Sequence, residues 1–190
     1  MKLRLALALT LGLAACARAG DLDKQIPSPA SDPANGAATE TAVLAGGCFW
    51  GQQGVFQHVK GVTKVVAGYS GGTAASANYD AVCSGTTDHA EAIRIRFDPR
   101  RISYGQLLKV FFADAAQREV AEAYIKQLDE AKVFTAPIAT EVVPLDAFYD
   151  AERYHQNYAE QHPEQSYIAF VAQPKVEKLK KDFGARLKGV

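Results

Sequence analysis

A pair of glycines between two different apolar patterns sets the first corner of this chain. Thr41 to Ala45 is a short apolar run that reads as a buried strand, and Gly46-Gly47 reads as a turn. From Cys48 the apolar spacing becomes helical, with Val55, Phe56 and Val59 on one side. Strand, turn and helix in that order place Cys48 at a helix N-terminus. Unpaired backbone N–H groups and the macrodipole favour negative charge there. Such a site lowers a cysteine pKa from about 8.5 towards 7 or below, so a thiolate is expected. The ordinary fate of a lone cysteine is to pack as a small hydrophobe. Flanking glycines, an anion-favouring position and two rings, Phe49 and Trp50, able to wall an apolar pocket point instead to a nucleophile.

The chain has 190 residues, enough for one domain and a leader, and its formal charge is zero. Nothing in that balance suggests a nucleic acid as partner. Residues 1–19 read as an export signal: Lys2 and Arg4 are followed by an apolar run, Leu5 to Ala15, too short to span a membrane as a mature helix. Leu13-Ala14-Ala15-Cys16 resembles the lipobox of bacterial lipoproteins, in which the signal is cut before the cysteine and that cysteine carries lipid. Ala17-Arg18-Ala19 also fits an ordinary cleavage site. The expectation is an exported protein, periplasmic or in the cell envelope, that meets a membrane only through a lipid on Cys16. Residues 20–40, rich in Ala, Ser, Pro, Gly and Asp, read as a flexible linker, and 41–190 as the domain. Beyond Cys16, only Cys48 and Cys83 remain. Export permits a structural disulfide between them, and Cys83 by itself reads as a packed cysteine.

Within the domain, Val62 to Tyr69 reads as a strand, with a loop through Asn78 and Tyr79 after it. Residues 90–97 alternate cleanly, with Ile93, Ile95 and Phe97 on one face and Arg94 and Arg96 on the other. Glu91 falls on the apolar face. A carboxyl held towards a core is costly when ionised, so its pKa should rise; a strand-end glutamate that curls out to solvent is the plain alternative. Ser103 and Gln106 have the spacing of a capping box that opens a helix. The stripe Leu107, Leu108, Phe111, Ala115 is followed by Val120, Tyr124, Leu128, Ala131 with no Gly or Pro between. Phe111 and Tyr124 are 13 residues apart, about 1300° of helix and about 220° past whole turns, so one straight helix would aim the two stripes apart. The chain is therefore irregular near 114–119. Ile138 to Val143 reads as a strand, Ala151 to Gln161 as a short helix, Tyr167 to Val171 as a strand and Val176 to Leu187 as a closing amphipathic helix. This mixture is α+β, with helices on a small mixed sheet.

Several ordered motifs carry a likeness to a known family. They are Gly-Gly-Cys-Phe-Trp-Gly (46–51), Gly-Tyr-Ser-Gly-Gly (68–72), Tyr79 to Gly85, His89-Ala-Glu-Ala, Pro-Ile-Ala-Thr-Glu-Val (137–142) and Phe148-Tyr-x-Ala-Glu-x-Tyr-His-Gln. From about Ala42 to Phe183 the chain resembles the class A peptide methionine sulfoxide reductases. The resemblance implies reduction of methionine S-sulfoxide, free or in proteins, with no metal and no bound cofactor. It implies a ferredoxin-like two-layer α/β sandwich, a monomer, and an external thiol reductant such as a thioredoxin-like protein. It makes Cys48 the nucleophile, Glu91 the acid that protonates the sulfoxide oxygen, Tyr79 a hydroxyl that holds that oxygen, and Phe49 and Trp50 the walls around the substrate methyl. Family members often end in a resolving cysteine; the C-terminal region here has none, which leaves an external thiol or Cys83 for that step.

One departure stands out. After Asp114 the family carries a loop and a strand that supply an Asp and a second Tyr, and this chain runs from one helical stripe directly into the next. The expectation is a sheet short of one family strand and a reductase of reduced activity. A membrane-tethered binding module for oxidised proteins is the alternative. A cysteine hydrolase using His58, His89, His155 or His162 as base is a third reading, without a Cys–His spacing to support it.

Overall fold

The computed structural model describes residues 26–32, 36–112, 118–133, 135, 137–138 and 145–189. Cys16, the signal at 1–19, the break at 114–116 and most of the strand expected at 138–143 lie outside them. Four strands, β1 (Glu40–Leu44), β2 (Val62–Ser70), β3 (Ala90–Phe97) and β4 (Phe148–Asp150), form one sheet in the order β1-β3-β2-β4. Helix α1 (Phe49–Gln57) joins β1 to β2. Because both strands run antiparallel to β3, β1 and β2 are parallel with β3 between them, the split βαβ unit of a ferredoxin-like sandwich. The described pairings are all antiparallel, where the sequence led us to expect a mixed sheet.

The alternation of β3 sets the layers. Ile93, Ile95 and Phe97 have no exposed area and meet α1 and the later helices. On the other face Arg94 bonds Asp150 at 2.7 Å and lies 4.6 Å over the Phe148 ring. At Gly68 an added Cβ would come within 2.3 Å of the Tyr149 carbonyl oxygen, so β4 lies against β2 only because that position is bare.

Helices α2 (Tyr79–Cys83), α3 (Tyr104–Phe112), α4 (Arg118–Glu130), α5 (Tyr158–Gln161) and α6 (Gln173–Phe183) complete the chain. Where a loop was expected at Tyr79, Asn78 caps α2 by accepting the Ala81 N–H at 3.0 Å. The capping box of α3 forms in both directions: Ser103 Oγ accepts the Gln106 N–H at 3.1 Å, and Gln106 Oε1 accepts the Ser103 N–H at 3.2 Å. Phe111 on α3 and Tyr124 and Leu128 on α4 all enter the same core. The expected strand at 167–171 is instead a π-helical stretch, Ile168–Ala172, that runs into α6. Ile168 and Ala172 are buried while Phe170 is 80% exposed, a helical rather than an alternating pattern.

The stretch read as a flexible linker is held down over 26–32. Ile26 is 1% exposed and joins the core, and the Tyr124 hydroxyl donates to the Pro27 carbonyl. Gln127 bonds both Ala30 N–H and Ser28 C=O. Asp32 accepts the Gly105 N–H at 2.9 Å and the Ser103 hydroxyl, a second cap on α3. The buried isoleucine among small polar residues is what anchors the segment.

Candidate active site

The turn between β1 and α1 places the nucleophile candidate. Gly47 turns with φ +90°, and Cys48 becomes the N-cap of α1 with no side-chain cap bond of its own. An open N-terminus leaves its N–H groups to other acceptors. Glu91 takes one: reaching from the start of β3, its Oε2 accepts the Phe49 N–H at 2.8 Å. Register makes this possible, because Glu91 pairs with Tyr69 beside the head of α1. Its carboxyl is half-buried and turned towards Cys48 rather than out to solvent.

Burial raises the Glu91 pKa above the ordinary carboxylate value, against the opposing pull of the Phe49 N–H and the Cys48 thiol that both donate to it. Cys48 is half-buried and free. Burial pushes its thiol up too; the Tyr167 hydroxyl and the Trp50 and Gly51 N–H groups favour the thiolate, while the charge of Glu91 opposes it. The net direction is upward, so the depressed pKa expected of a helix N-terminus is not obtained. Desolvation and the neighbouring carboxylate outweigh the N–H groups. The thiol and carboxyl sit in direct contact, and burial leaves each holding its proton to higher pH than it would in water. Both line an open cavity of about 420 Å³, with Gly46, Gly47 and Ala90 around them, a size that admits a small ligand.

The two ring residues separate. Phe49 has no exposed area and packs between Tyr69, at 5.8 Å between ring centroids, and His155, at 5.0 Å. It supports a wall from beneath rather than presenting one. Trp50 is the half-buried ring: it stacks on Tyr158 at 3.9 Å, meets Tyr167 edge-on at 6.2 Å, and donates its indole N–H to His155 Nδ1 at 3.1 Å.

Tyr79 opens α2, and its ring lies 4.4 Å from that of His155. Its hydroxyl donates to Cys83, which with burial and the nearby charges of Cys83, Glu91 and Cys48 pushes the phenol up to about 12. Cys83 is exposed and free, neither packed nor bridged to Cys48. His58 and His89 bond backbone groups of their own surroundings, and His162 lies 3.9 Å from Glu164.

Glu152, Tyr158 and Tyr167 stand near the site without having been singled out from the sequence, and His155, weighed there only as the base of a hydrolase, joins them. Glu152 is a hub. Its Oε2 accepts the Tyr69 hydroxyl at 2.7 Å and its Oε1 the Tyr79 N–H at 2.9 Å. Burial works to raise its pKa, yet these donors and His155 together hold it below the ordinary range. The signal for three of the four was present in the run Glu152 to Tyr158, but only the fold shows which side chains turn to Trp50 and Tyr79. Among the described residues no group of three or more His, Cys, Asp or Glu converges as a metal site would require. What remains is a thiol and a carboxyl that can pass a proton between them at the edge of a cavity, beside an aromatic wall.

The model of the family described as peptide methionine sulfoxide reductase matches this chain in two pieces, residues 40–115 and 110–187. A peptide methionine sulfoxide reductase MsrA 2 from Synechocystis is 43% identical over 195 residues, covering 87% of this chain and 91% of the relative. An MsrA from Ralstonia nicotianae is 44% identical over 179 residues, covering 79% and 94%. Among solved structures, the reduced form of Mxr1 from Saccharomyces cerevisiae is 26% identical with a TM-score of 0.53, covering 71% of this chain and 92% of that one. Methionine sulfoxide reductase A of Corynebacterium diphtheriae, 24% identical with a TM-score of 0.54, covers 68% and 77% and shares the fold. The Synechocystis alignment has 195 positions, whereas 87% of 190 residues is about 165, so about 30 of its positions face no residue here. The two family-model pieces meet at 110–115, where the helical stripes fall out of phase.

Proposed function

This chain belongs to the peptide methionine sulfoxide reductase family, and from that premise we propose how and where it acts. It is an oxidoreductase that reduces methionine sulfoxide. The Cys48 sulfur attacks the sulfoxide sulfur of the S-sulfoxide, free or in a protein. Glu91 takes the thiol proton as attack begins and passes it to the sulfoxide oxygen, which leaves the substrate sulfur only once protonated. The S–O bond breaks and the oxygen leaves as hydroxide, which then adds to the Cys48 sulfur and breaks the new S–S bond, so methionine departs and Cys48 is left oxidised as a sulfenic acid. The raised pKa of Glu91 suits this relay, because a carboxylate more basic than an ordinary one takes the thiol proton more readily.

Tyr79 holds the oxygen once its hydroxyl turns from Cys83 to the substrate. Trp50, supported by Phe49, walls the methyl. The sulfenic acid then condenses with a thiol and releases water. That thiol belongs to an external, thioredoxin-like reductant or to Cys83, whose exposure suits exchange. The leader argues for an exported enzyme that repairs envelope proteins, with Cys16 as the lipid-bearing residue and the domain monomeric. A binding module without turnover is not favoured, since the relatives are named as reductases over most of this chain.

One observation carries the mechanism: the contact of Cys48 with Glu91 at the head of α1, on the cavity wall. Its test is a single turnover without added reductant on a methionine S-sulfoxide peptide. One equivalent of methionine and a sulfenic adduct on Cys48 are expected by mass spectrometry, both absent from Cys48→Ser. Methionine from Cys48→Ser would remove the assignment.

A further inference from the structure

His155 sits beneath the aromatic wall with 1% of its surface exposed. Its Nδ1 accepts the indole N–H of Trp50 at 3.1 Å. A ring nitrogen that accepts a hydrogen bond carries no proton, so the ring is neutral and its own proton is on Nε2. Nε2 is buried and has no hydrogen-bond partner. Glu152 Oε2 is 3.8 Å away, too far for a bond, and already accepts the Tyr69 hydroxyl. His155 thus spends its lone pair on Trp50 and gains nothing from its N–H, an arrangement that costs stability and calls for a reason. The indole it holds stacks on Tyr158 and meets Tyr167, the residue whose hydroxyl reaches the Cys48 sulfur. Fixing the indole therefore fixes the wall next to the nucleophile.

We propose that His155 is a positioning residue of this reductase: its neutral ring pins the Trp50 indole, and protonation of Nδ1 breaks that bond, frees the wall and weakens sulfoxide binding. The binding half of this rests on the reading of Trp50 as the wall of the substrate pocket. The groups that face His155 are few. Phe49 and Trp50 come from α1, at ring distances of 5.0 and 5.6 Å, and do not titrate. Tyr79 comes from α2 at 4.4 Å and Tyr154 from its own turn at 4.1 Å. Both phenols are raised above their ordinary value and stay neutral at acid and neutral pH. Glu152 is the charged neighbour and favours the imidazolium, but burial opposes it more strongly. The ring therefore stays neutral at pH 7 and titrates below the ordinary 6.5.

Trp50 is the sole tryptophan in the chain, so intrinsic fluorescence of the intact protein reads this bond directly. The emission should show a transition below pH 6.5. The KM for a methionine sulfoxide peptide should rise about tenfold across the same interval, with kcat changing less. His155→Gln, whose amide oxygen can accept from the indole without titrating, should keep the neutral-pH KM and lose both transitions. His155→Leu should have a raised KM at every pH. A flat wild-type emission, or a transition that survives in His155→Gln, overturns the role of His155. An emission transition with a KM that ignores it also overturns the proposal, and places the fault in the assignment of Trp50 to the wall.

Discussion

Glu91→Gln separates the chemistry of the site from its architecture. The carboxyl makes two bonds in the structure, one accepted from the Phe49 N–H at 2.8 Å and one from the Cys48 thiol. A glutamine carbonyl oxygen can keep the first, so the head of α1 should stay in place while the transferable proton is lost. General acid catalysis contributes typically 10²–10⁴-fold. At 1.36 kcal/mol per decade this is about 3–5 kcal/mol of barrier, and single-turnover methionine release by rapid quench should slow by that factor. Two other readouts move the opposite way. The charge of Glu91 is one of the groups raising the Cys48 pKa, so its removal should make the thiol more acidic, seen as a downward shift in the pH profile of alkylation. Burial, the largest cause, remains, so the shift should be partial. Stability changes as well. Because the folded-state pKa of Glu91 is raised, the stabilisation it gives is present below its ordinary value of 4.5 and is lost as pH rises through the folded value. Glutamine avoids that loss, so Glu91→Gln should gain in denaturant midpoint over wild type at pH 8 relative to pH 4. A variant that is slower, more acidic at sulfur and more stable at alkaline pH is the signature of a buried acid kept for function. Methionine release within about threefold of wild type, or a thiol that becomes less acidic, would refute the relay.

Tyr79→Phe removes the hydroxyl that now rests on Cys83; turnover should fall about 10–100-fold if that group holds the developing oxygen charge, whereas Cys83→Ala, measured with a monothiol reductant, should leave the first turnover unchanged. Asp32→Ala deletes a cap that reaches α3 from outside the domain core, through Gly105 N–H and the Ser103 hydroxyl. It should lower unfolding stability by about 1 kcal/mol in urea with single-turnover rates intact.

The parts of this fold that were legible in the sequence are those set by neighbours along the chain. The period-two pattern of 90–97 gave β3 and its buried face, and the Gly-Gly-Cys corner gave α1. Ser103 and Gln106 gave the start of α3. Misreadings arose where distant contacts decide. Five apolar or small residues at 168–172 fit a strand as well as a helix turn, and burial of Ile168 and Ala172, the latter against Gly51 of α1, chose the helix. Residues 26–32 look like a tether in composition, yet Ile26 joins the core and the neighbouring Pro27 carbonyl is held by the Tyr124 hydroxyl 97 residues away, and the strand at Glu40 begins only after the docked segment. At the site, the sequence named Cys48 and Glu91, which the fold brings into contact, but not the sign of the thiol shift. A helix N-terminus is visible locally, while the desolvation that outweighs it comes from the whole surrounding shell. His155 was weighed only as one of four candidate bases, since its place beneath Trp50 depends on a bond to a residue 105 positions earlier.

Were Cys16 to carry the proposed lipid, the docking of Ile26 to Asp32 would set a radius of action. From Cys16 to Ile26 the chain has ten residues, against twenty-four from Cys16 to Glu40. At about 3.5 Å per residue the first spans at most ~35 Å and the second ~85 Å. An enzyme fastened at Cys16 would therefore patrol a shell no deeper than its own short leash, and would reach damaged proteins lying close to the bilayer while leaving those further out to other repair.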